Sequence, residues 1–490
     1  MSSLSPQALD SDKETSPSQL EDVEKGTEKT SLPWRQLFII FFLQISEPLT
    51  SQLILPFAPQ LIMDIGVTQG NEARVGYYVG MLNSLFFATE ALTIFHWSRV
   101  SDYLGRKPVL LTGLFGLSIS MFCFGLSKNF WQLVLSRCLT GALNGNCGVM
   151  KSVMAEITDS TNMPQVIGLI TFAWAAGTTI GPLIGGVLEE PAIRFPSTFG
   201  RSVFFKTYPY FLPCAVAASF SALSWLMALL FFKETMPSPL TIRDIKERLR
   251  FRRSDADLPL KTESTIQHAD ATLGEAEKPL PLRKLLVPRV LVAAGTYASV
   301  SLVEIAIRTV QPVFYATSIP LGGLGLSPLA IGNILAIAGA VNGLFQMLLF
   351  AKVHERMGTK NLLVAGVLSG LPAIALFPMI NLLARQQGIS ASVWILVALQ
   401  HLLLVMLDYS YGATFIYVNS SSPNRASIGA TNGLAQVTVS AMRAVGPAVS
   451  NAVFSLSIEQ QYIGGQMVYC VLGCMVLLAV WVSSLLPRKV

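Results

Sequence analysis

Six ionisable residues stand well inside long apolar runs of this chain: Glu47, Arg137, Glu304, Arg308, Asp408 and Arg443. A charge at the centre of a membrane helix costs roughly 2.5 to 3.5 kcal/mol, so such residues are functional candidates, chiefly in ion pathways and proton relays. A carboxyl group set among apolar neighbours can load and release a proton within an accessible pH range, which is what proton coupling requires. Glu304 and Arg308 are four residues apart and can meet on one helix face, either as a coupling group or as a self-neutralised structural pair. Asp408 lies in "LDYSYGATF", where Tyr409 and Tyr411 offer hydroxyls and ring faces to a ligand, and Arg443 joins them as a cavity candidate. Glu47 lies in "ISEPLTSQLILP", where Pro48 predicts a broken, polar stretch of backbone of the kind that lines a midplane site. Glu90 sits nearer the end of its run, as a coupling residue or as an anchor for the charges beyond it.

Other chemistries find no residues to carry them. His96, His268, His354 and His401 are dispersed without metal-ligand spacing, and the six cysteines lie in or beside apolar runs as small hydrophobes. The chain has no GxxxxGK[ST] phosphate loop, which argues against ATP-driven work. The reading is therefore no catalytic residues, no metal site, no bound cofactor and no enzyme. The net charge of +6 is gathered in short connections rather than on one face, which argues against nucleic acid as a partner.

The elements that must hold these residues follow from composition. Hydrophobic residues make up 52% of the 490 and charged ones 13%, against roughly 25% charged in a soluble domain. The apolar residues fall into runs of about 20, the length that crosses a bilayer core. Six runs span roughly 35–58, 75–97, 109–127, 130–154, 164–188 and 210–232, and six more span 290–317, 328–352, 360–381, 392–418, 427–454 and 465–486. The spacing predicts an all-α integral membrane protein of twelve transmembrane helices in two pseudo-symmetric six-helix halves, 35–232 and 290–486, around a central cavity. A polar tail (1–34), a central loop (233–289) and a short end (487–490) complete it. Arg99, Arg106 and Lys107 follow the second run, Lys352, Arg356 and Lys360 the eighth, and six basic residues between Arg243 and Arg253 lie in the central loop. Lys and Arg concentrate on the inner side, so both termini and these connections are expected to be cytoplasmic, in a plasma or vacuolar membrane.

The charges after the second run recur. "SRVSDYLGRK" at 98–107 aligns with "AKVHERMGTK" at 351–360, pairing Asp102 with Glu355, Gly105 with Gly358 and Lys107 with Lys360, while Thr359 stands where Arg106 does. A second echo sets Gly181-Pro182 against Gly446-Pro447. Both echoes occupy corresponding runs, so the halves are expected to be structural copies, the architecture of a carrier that rocks about a midplane site.

"SRVSDYLGRKPVLL" resembles the signature that follows the second helix in the major facilitator superfamily. "SRCLTGALNG" (136–145) is similar to its helix 4 motif, with Arg137, and "GTTIGPLIGG" (177–186) to its helix 5 antiporter motif, with Gly177, Gly181, Pro182, Gly185 and Gly186. Together the three resemble the twelve-helix drug:proton antiporter group, including its zinc-induced-facilitator-like and fungal members. The resemblance implies that Asp102, Gly105, Arg106 and Lys107 form a gate cluster with Arg106 as the ionic partner, and that Arg137 assists proton transfer by biasing a nearby carboxylate. It implies that the helix 5 face seals the cavity, although simple helix packing explains that face equally well. Ser98 and Tyr103 depart from the pattern. The function implied is alternating-access export of small organic or amphipathic molecules coupled to protons, by a monomer in the lipid bilayer. A nutrient symporter or uniporter, and a transporter-like receptor or scaffold, are the alternatives.

Overall fold

The computed structural model describes residues 33–158, 163–236, 282–424 and 427–488. Nearly all of the tail and most of the central loop, including the basic residues between 243 and 253, lie outside the described residues.

Long apolar segments satisfy their backbone groups in lipid only as helices or closed barrels, and here every regular element among the described residues is helical. The first half runs through α1 (Trp34–Leu53), α2 (Ala58–Asp64), α3 (Val75–Leu104), α4 (Arg106–Gly125), α5 (Phe130–Leu143), α6 (Asn146–Ile157), α7 (Met163–Leu188) and α8 (Phe211–Phe231). The second runs through α9 (Pro288–Ala316), α10 (Pro328–Leu368), α11 (Gly370–Gln387), α12 (Ala391–Ser421), α13 (Ile428–Glu459) and α14 (Met467–Ser484).

Several expected runs are interrupted, among them the first and the fourth. The first stays helical through Pro48 and bends by 48° between α1 and α2. The expected break at Pro48 does not occur, because neighbouring helices and Ser/Thr side chains tolerate a proline within a spanning helix. Here the Ser46 hydroxyl bonds Ser224 of α8 at 2.8 Å. The fourth run divides at Asn144-Gly145, where Trp97 Nε1 donates to the freed Ala142 carbonyl at 2.7 Å.

Pro328–Gln387 forms 60 nearly continuous helical residues, about 90 Å of helix or about three bilayer cores, so it must fold back. It does so at Gly358, with φ 72° and ψ 161° inside α10. Gly105, between α3 and α4, has φ 97° and ψ 169°. Only glycine adopts this region without strain, so the echo between 98–107 and 351–360 is an echo of backbone conformation.

Within the first half, α7 seats α1, α4 packs on α8, and α3 on α5; within the second, α9 meets α12, α13 and α14, while α12 meets α10 and α11. The halves meet along α3 with α13 and α7 with α10. The seam is tight at the end where α3 and α10 begin and α7 and α13 finish. There Arg74 pairs with Glu459 at 2.7 Å, the Tyr77 amide donates to Ser455 Oγ at 3.2 Å, and the Ala448 amide to Ser84 Oγ at 2.8 Å. Glycines make this approach possible. A methyl group at Gly186 would sit 2.6 Å from the Pro328 carbonyl oxygen, and one at Gly332 2.5 Å from that of Pro182.

Candidate functional site

The second half gathers its ionisable residues into one group. Glu304 and Arg308 on α9 form an ion pair, and the Arg308 guanidinium also donates to both oxygens of Asp408 on α12, at 2.6 and 2.8 Å. Arg308 thus bridges two carboxylates, one a helical turn away in sequence and the other 100 residues away. Tyr411 is within hydrogen-bond distance of both Ser301 Oγ at 3.0 Å and Glu304 Oε2 at 3.1 Å, and Asn342 of α10 lies beside Asp408. Arg443 of α13 completes the group through Tyr411, with its Nε buried and without a hydrogen-bond partner. Four helices therefore aim at one cluster. Arg308 is 43% exposed while its two carboxylates are nearly buried, so the guanidinium faces open space in the interior of the bundle. Two acids sharing one base in this setting can exchange one partner for a proton or for a charged ligand, since breaking either ion pair leaves the other to hold the arginine.

Tyr409 is not in this group. It is 1% exposed, donates to the Phe345 carbonyl at 2.9 Å and packs against Phe350. Residues two apart on a helix point about 200° apart, so α12 can turn only one of Tyr409 and Tyr411 inward.

The first-half candidates form separate local groups. Arg137 is 3% exposed and meets the rings of Phe86 and Phe124, with centroids 5.3 and 5.8 Å away, and Asn83 Oδ1 at 3.4 Å. No carboxylate pairs with it among the described residues, and its Nε and Nη1 have no partner, so aromatic faces hold this charge where an acid was expected. Glu90 accepts from Asn144 Nδ2 at 3.1 Å, which ties α3 to the break between α5 and α6. Glu47 is half-buried on α1, next to the contact of Pro48 with Gly177.

The glycine-rich face of α7 serves two neighbours. Gly177, Gly181 and Gly185 receive α1 at Pro48, Leu49 and Leu53, whereas Pro182 and Gly186 receive α10 of the other half at Gly332 and Pro328.

The charged turn is built as a cap. Arg106 pairs with Asp102 at 2.7 Å and with Glu156 of α6 at 2.9 Å. Glu234, just beyond α8, accepts from the backbone amides of Arg106 at 2.8 Å and Lys107 at 3.0 Å, where an anion offsets the positive end of α4. Asp102 is exposed, and its ion pair with Arg106 lies within the first half. Neither Glu156 nor Glu234 stands out in the sequence. In the second copy Lys360 Nζ donates to the carbonyls of Ser483, Ser484 and Leu486 at the end of α14, at 2.8, 2.8 and 2.5 Å. Glu355 is exposed without an ion pair among the described residues, and Thr359 bonds His354 at 3.0 Å. The full charge cluster thus belongs to the first half only.

At the sealed end, outside the spanning helices, Glu189 pairs with Arg194 and is almost wholly buried, with Oε2 unpartnered. Burial raises its carboxyl above the ordinary range, more than Arg194 lowers it.

Comparison with known proteins fits this arrangement. Residues 40–447 match the family model described as Major Facilitator Superfamily. The chain is 29% identical to the major facilitator-type transporter psiT2 of Psilocybe cyanescens, over 96% of this chain and 93% of that one. It is 27% identical to the major facilitator superfamily multidrug transporter mfsB of Aspergillus fumigatus, over 94% and 85%. Among solved structures, an inward-facing bacterial homologue of the human lysosomal transporter Spinster superposes with a TM-score of 0.66 at 14% identity, over 92% of this chain and 97% of that one, a likeness of fold.

Proposed function

The chain belongs to the major facilitator superfamily of transporters, and we propose that it exports small organic or amphipathic molecules in exchange for protons. The observation that carries this reading is Arg308 held between Glu304 and Asp408 on the open interior face of the second half. Protonation of one carboxyl, or arrival of a charged substrate, releases Arg308 from one partner. Each ligand thereby changes the charge the other meets, the condition for coupling two binding events. The names of relatives, a multidrug transporter among them, support export.

Rocking of the halves about the α3–α13 and α7–α10 seams carries the site from one side to the other, with Asp102 and Arg106 as part of the gate at the end opposite the sealed one. The concentration of Lys and Arg supports a cytoplasmic position for that end and for both termini, in the plasma or vacuolar membrane, and one copy contains the whole cluster, which supports a functional monomer.

The test is transport in proteoliposomes against a panel of organic cations, anions and neutral amphiphiles, with and without a pH gradient. Wild type is expected to move at least one compound against its gradient when protons flow the other way, and Asp408→Asn to abolish the response to the pH gradient while leaving folded protein. A panel in which transport occurs but ignores the pH gradient overturns the coupling.

A further inference from the structure

On the sealed-end side of the Arg308–Asp408 pair, α9 and α12 enclose a second polar group that the proposed function does not use. His401 lies seven residues from Asp408 on α12, two turns along the same face, and Gln311 and Tyr315 lie one and two turns beyond Arg308 on α9. Gln311, Tyr315 and Gln400 are buried. Their hydrogen bonds fix one another's orientation. His401 Nδ1 is 2.9 Å from the Val397 carbonyl oxygen, which only accepts, so Nδ1 carries a hydrogen. Gln400 Nε2 donates to the Ala373 carbonyl at 2.9 Å, which turns Gln400 Oε1 toward Tyr315 and Gln311, both 3.4 Å away. The Gln311 amide then points its NH2 at three acceptors: Tyr315 Oη at 3.1 Å, Gln400 Oε1, and His401 Nε2 at 3.3 Å. In this arrangement the imidazole is neutral.

A proton on His401 Nε2 would face the hydrogens of the Gln311 amide. Rotating that amide by half a turn exchanges its nitrogen for its oxygen, which accepts from Nε2–H, while the Tyr315 hydroxyl remains free to donate to Gln400. The cluster therefore has two arrangements that differ by one proton and one amide flip, each with a donor and an acceptor matched between Gln311 and His401 Nε2 and with Nδ1 bonded to Val397 in both. The flip gives up the Gln311–Gln400 contact, leaving Tyr315 as the donor to Gln400. Resting on the reading of Arg308–Asp408 as the coupling pair, we propose that His401 is a second proton-carrying residue of this transporter, with Gln311 as its switch. The charged and titratable groups around it are Arg308, Glu304 and Tyr315 from α9 and Asp408 on its own helix, with Arg443 of α13 further on at Tyr411; α11 presents the Ala373 carbonyl. His401 lies two turns from the carboxylate a substrate would meet, so a proton held there does not contend with the substrate for the same group.

Ring-nitrogen NMR of full-length protein labelled at histidine tests this without a substrate, because only four histidines contribute and His401→Gln identifies the signal. At about pH 9, above the ordinary imidazole range, the Nδ1–H neutral tautomer is expected, and on acidification to about pH 4, well below that range, both nitrogens are expected to be protonated. Gln311→Glu, a permanent acceptor, should keep the doubly protonated ring at the higher pH, and Gln311→Leu should keep the neutral tautomer at the lower. A single neutral tautomer throughout in wild type, or no response to either Gln311 substitution, overturns the proposal. In proteoliposomes with rhodamine 6G as probe, His401→Gln should lower gradient-driven movement about tenfold or more while leaving exchange at zero gradient within about twofold. A wild type indifferent to the gradient defeats the coupling reading, whereas a His401→Gln protein that follows the gradient like wild type defeats the role of His401 alone.

Discussion

Gly185 and Gly186 are neighbours in α7, yet adding one methyl group to each should have opposite consequences. At Gly186 the new carbon would lie 2.6 Å from the Pro328 carbonyl oxygen and 3.0 Å from Gly332 Cα, both backbone atoms of α10 in the other half. Ordinary contact requires α7 and α10 to separate there by roughly 1 Å. Overpacking of this kind costs about 1 to 3 kcal/mol. The halves can avoid that cost by parting at the sealed end, so Gly186→Ala should shift the balance between sealed and parted states by about 5- to 150-fold, every 1.4 kcal/mol being about tenfold. At Gly185 the methyl would lie 2.0 Å from the Leu53 carbonyl oxygen of α1, within the same half. No rocking of the halves relieves that clash, and Gly185→Ala should lower thermal stability without changing the conformational balance. Double electron–electron resonance between spin labels at Ile193 and Tyr462, in a background without native cysteines, reads the separation at the sealed end, and a melting curve reads stability. Unchanged distances in Gly186→Ala, or a lengthened population in Gly185→Ala, would refute the assignment of these glycines to different interfaces.

Three further outcomes follow from the same contacts. Glu234→Gln retains the shape but removes the charge that offsets the start of α4, and should cost about 0.3 to 1 kcal/mol, read as a lowered melting temperature whose deficit shrinks in high salt. Arg308→Ala leaves Glu304 and Asp408 facing each other without a base, so transport should fall at least about tenfold at unchanged surface abundance, with Arg308→Lys recovering only part of it because Lys cannot bridge two carboxylates in the same fork geometry; full activity in the alanine variant would remove Arg308 from the site. Glu189 has a carboxyl raised by burial, so its ionised form costs stability that is absent below the ordinary carboxylate pKa of about 4.5 and fully present above the raised value. Glu189→Gln should therefore look more favourable relative to wild type at about pH 8 than at about pH 5, and equal differences in melting temperature at the two pH values would contradict the buried, half-satisfied carboxylate.

Much of this molecule was legible because a charge in an apolar run is conspicuous. Glu304, Arg308, Asp408 and Arg443 were all visible, and all fall in one cluster. The pairing of Arg308 with Asp408 was not, since nothing local joins residues 100 apart. Separation in sequence likewise hid Glu156 and Glu234, which stand 50 and 128 residues from Arg106 until the fold brings them to it. His401 was passed over because histidines were weighed as metal ligands, and its partners Gln311 and Gln400 carry no charge to announce them. The helical angle between Tyr409 and Tyr411 was available from spacing alone and would have separated them. Pro48 misled because proline breaks helices in water more reliably than in a bundle, where α1, packed against α7 and α8, stays helical through it. Arg137 shows the opposite limit. Its burial was readable, but a charge is satisfied by whatever the fold supplies, here two aromatic faces.

The glycine turns at 105 and 358 carry a consequence for motion. Beside each, the fourth helix of the first half or its counterpart in the second is fastened to the end of the last helix of its own half, by Glu234 accepting from amides in one case and by Lys360 donating to carbonyls in the other. Opposite charges perform the same task, because the first turn presents the head of a helix to an anion from beyond α8, whereas the second turn supplies the cation and α14 presents its tail. Each half is thereby closed into a hoop with its final helix stitched to its middle, and a hoop resists shear between its staves. Movement is left to the joint between two hoops, so a carrier assembled from a doubled sequence can swing as two stiff pieces.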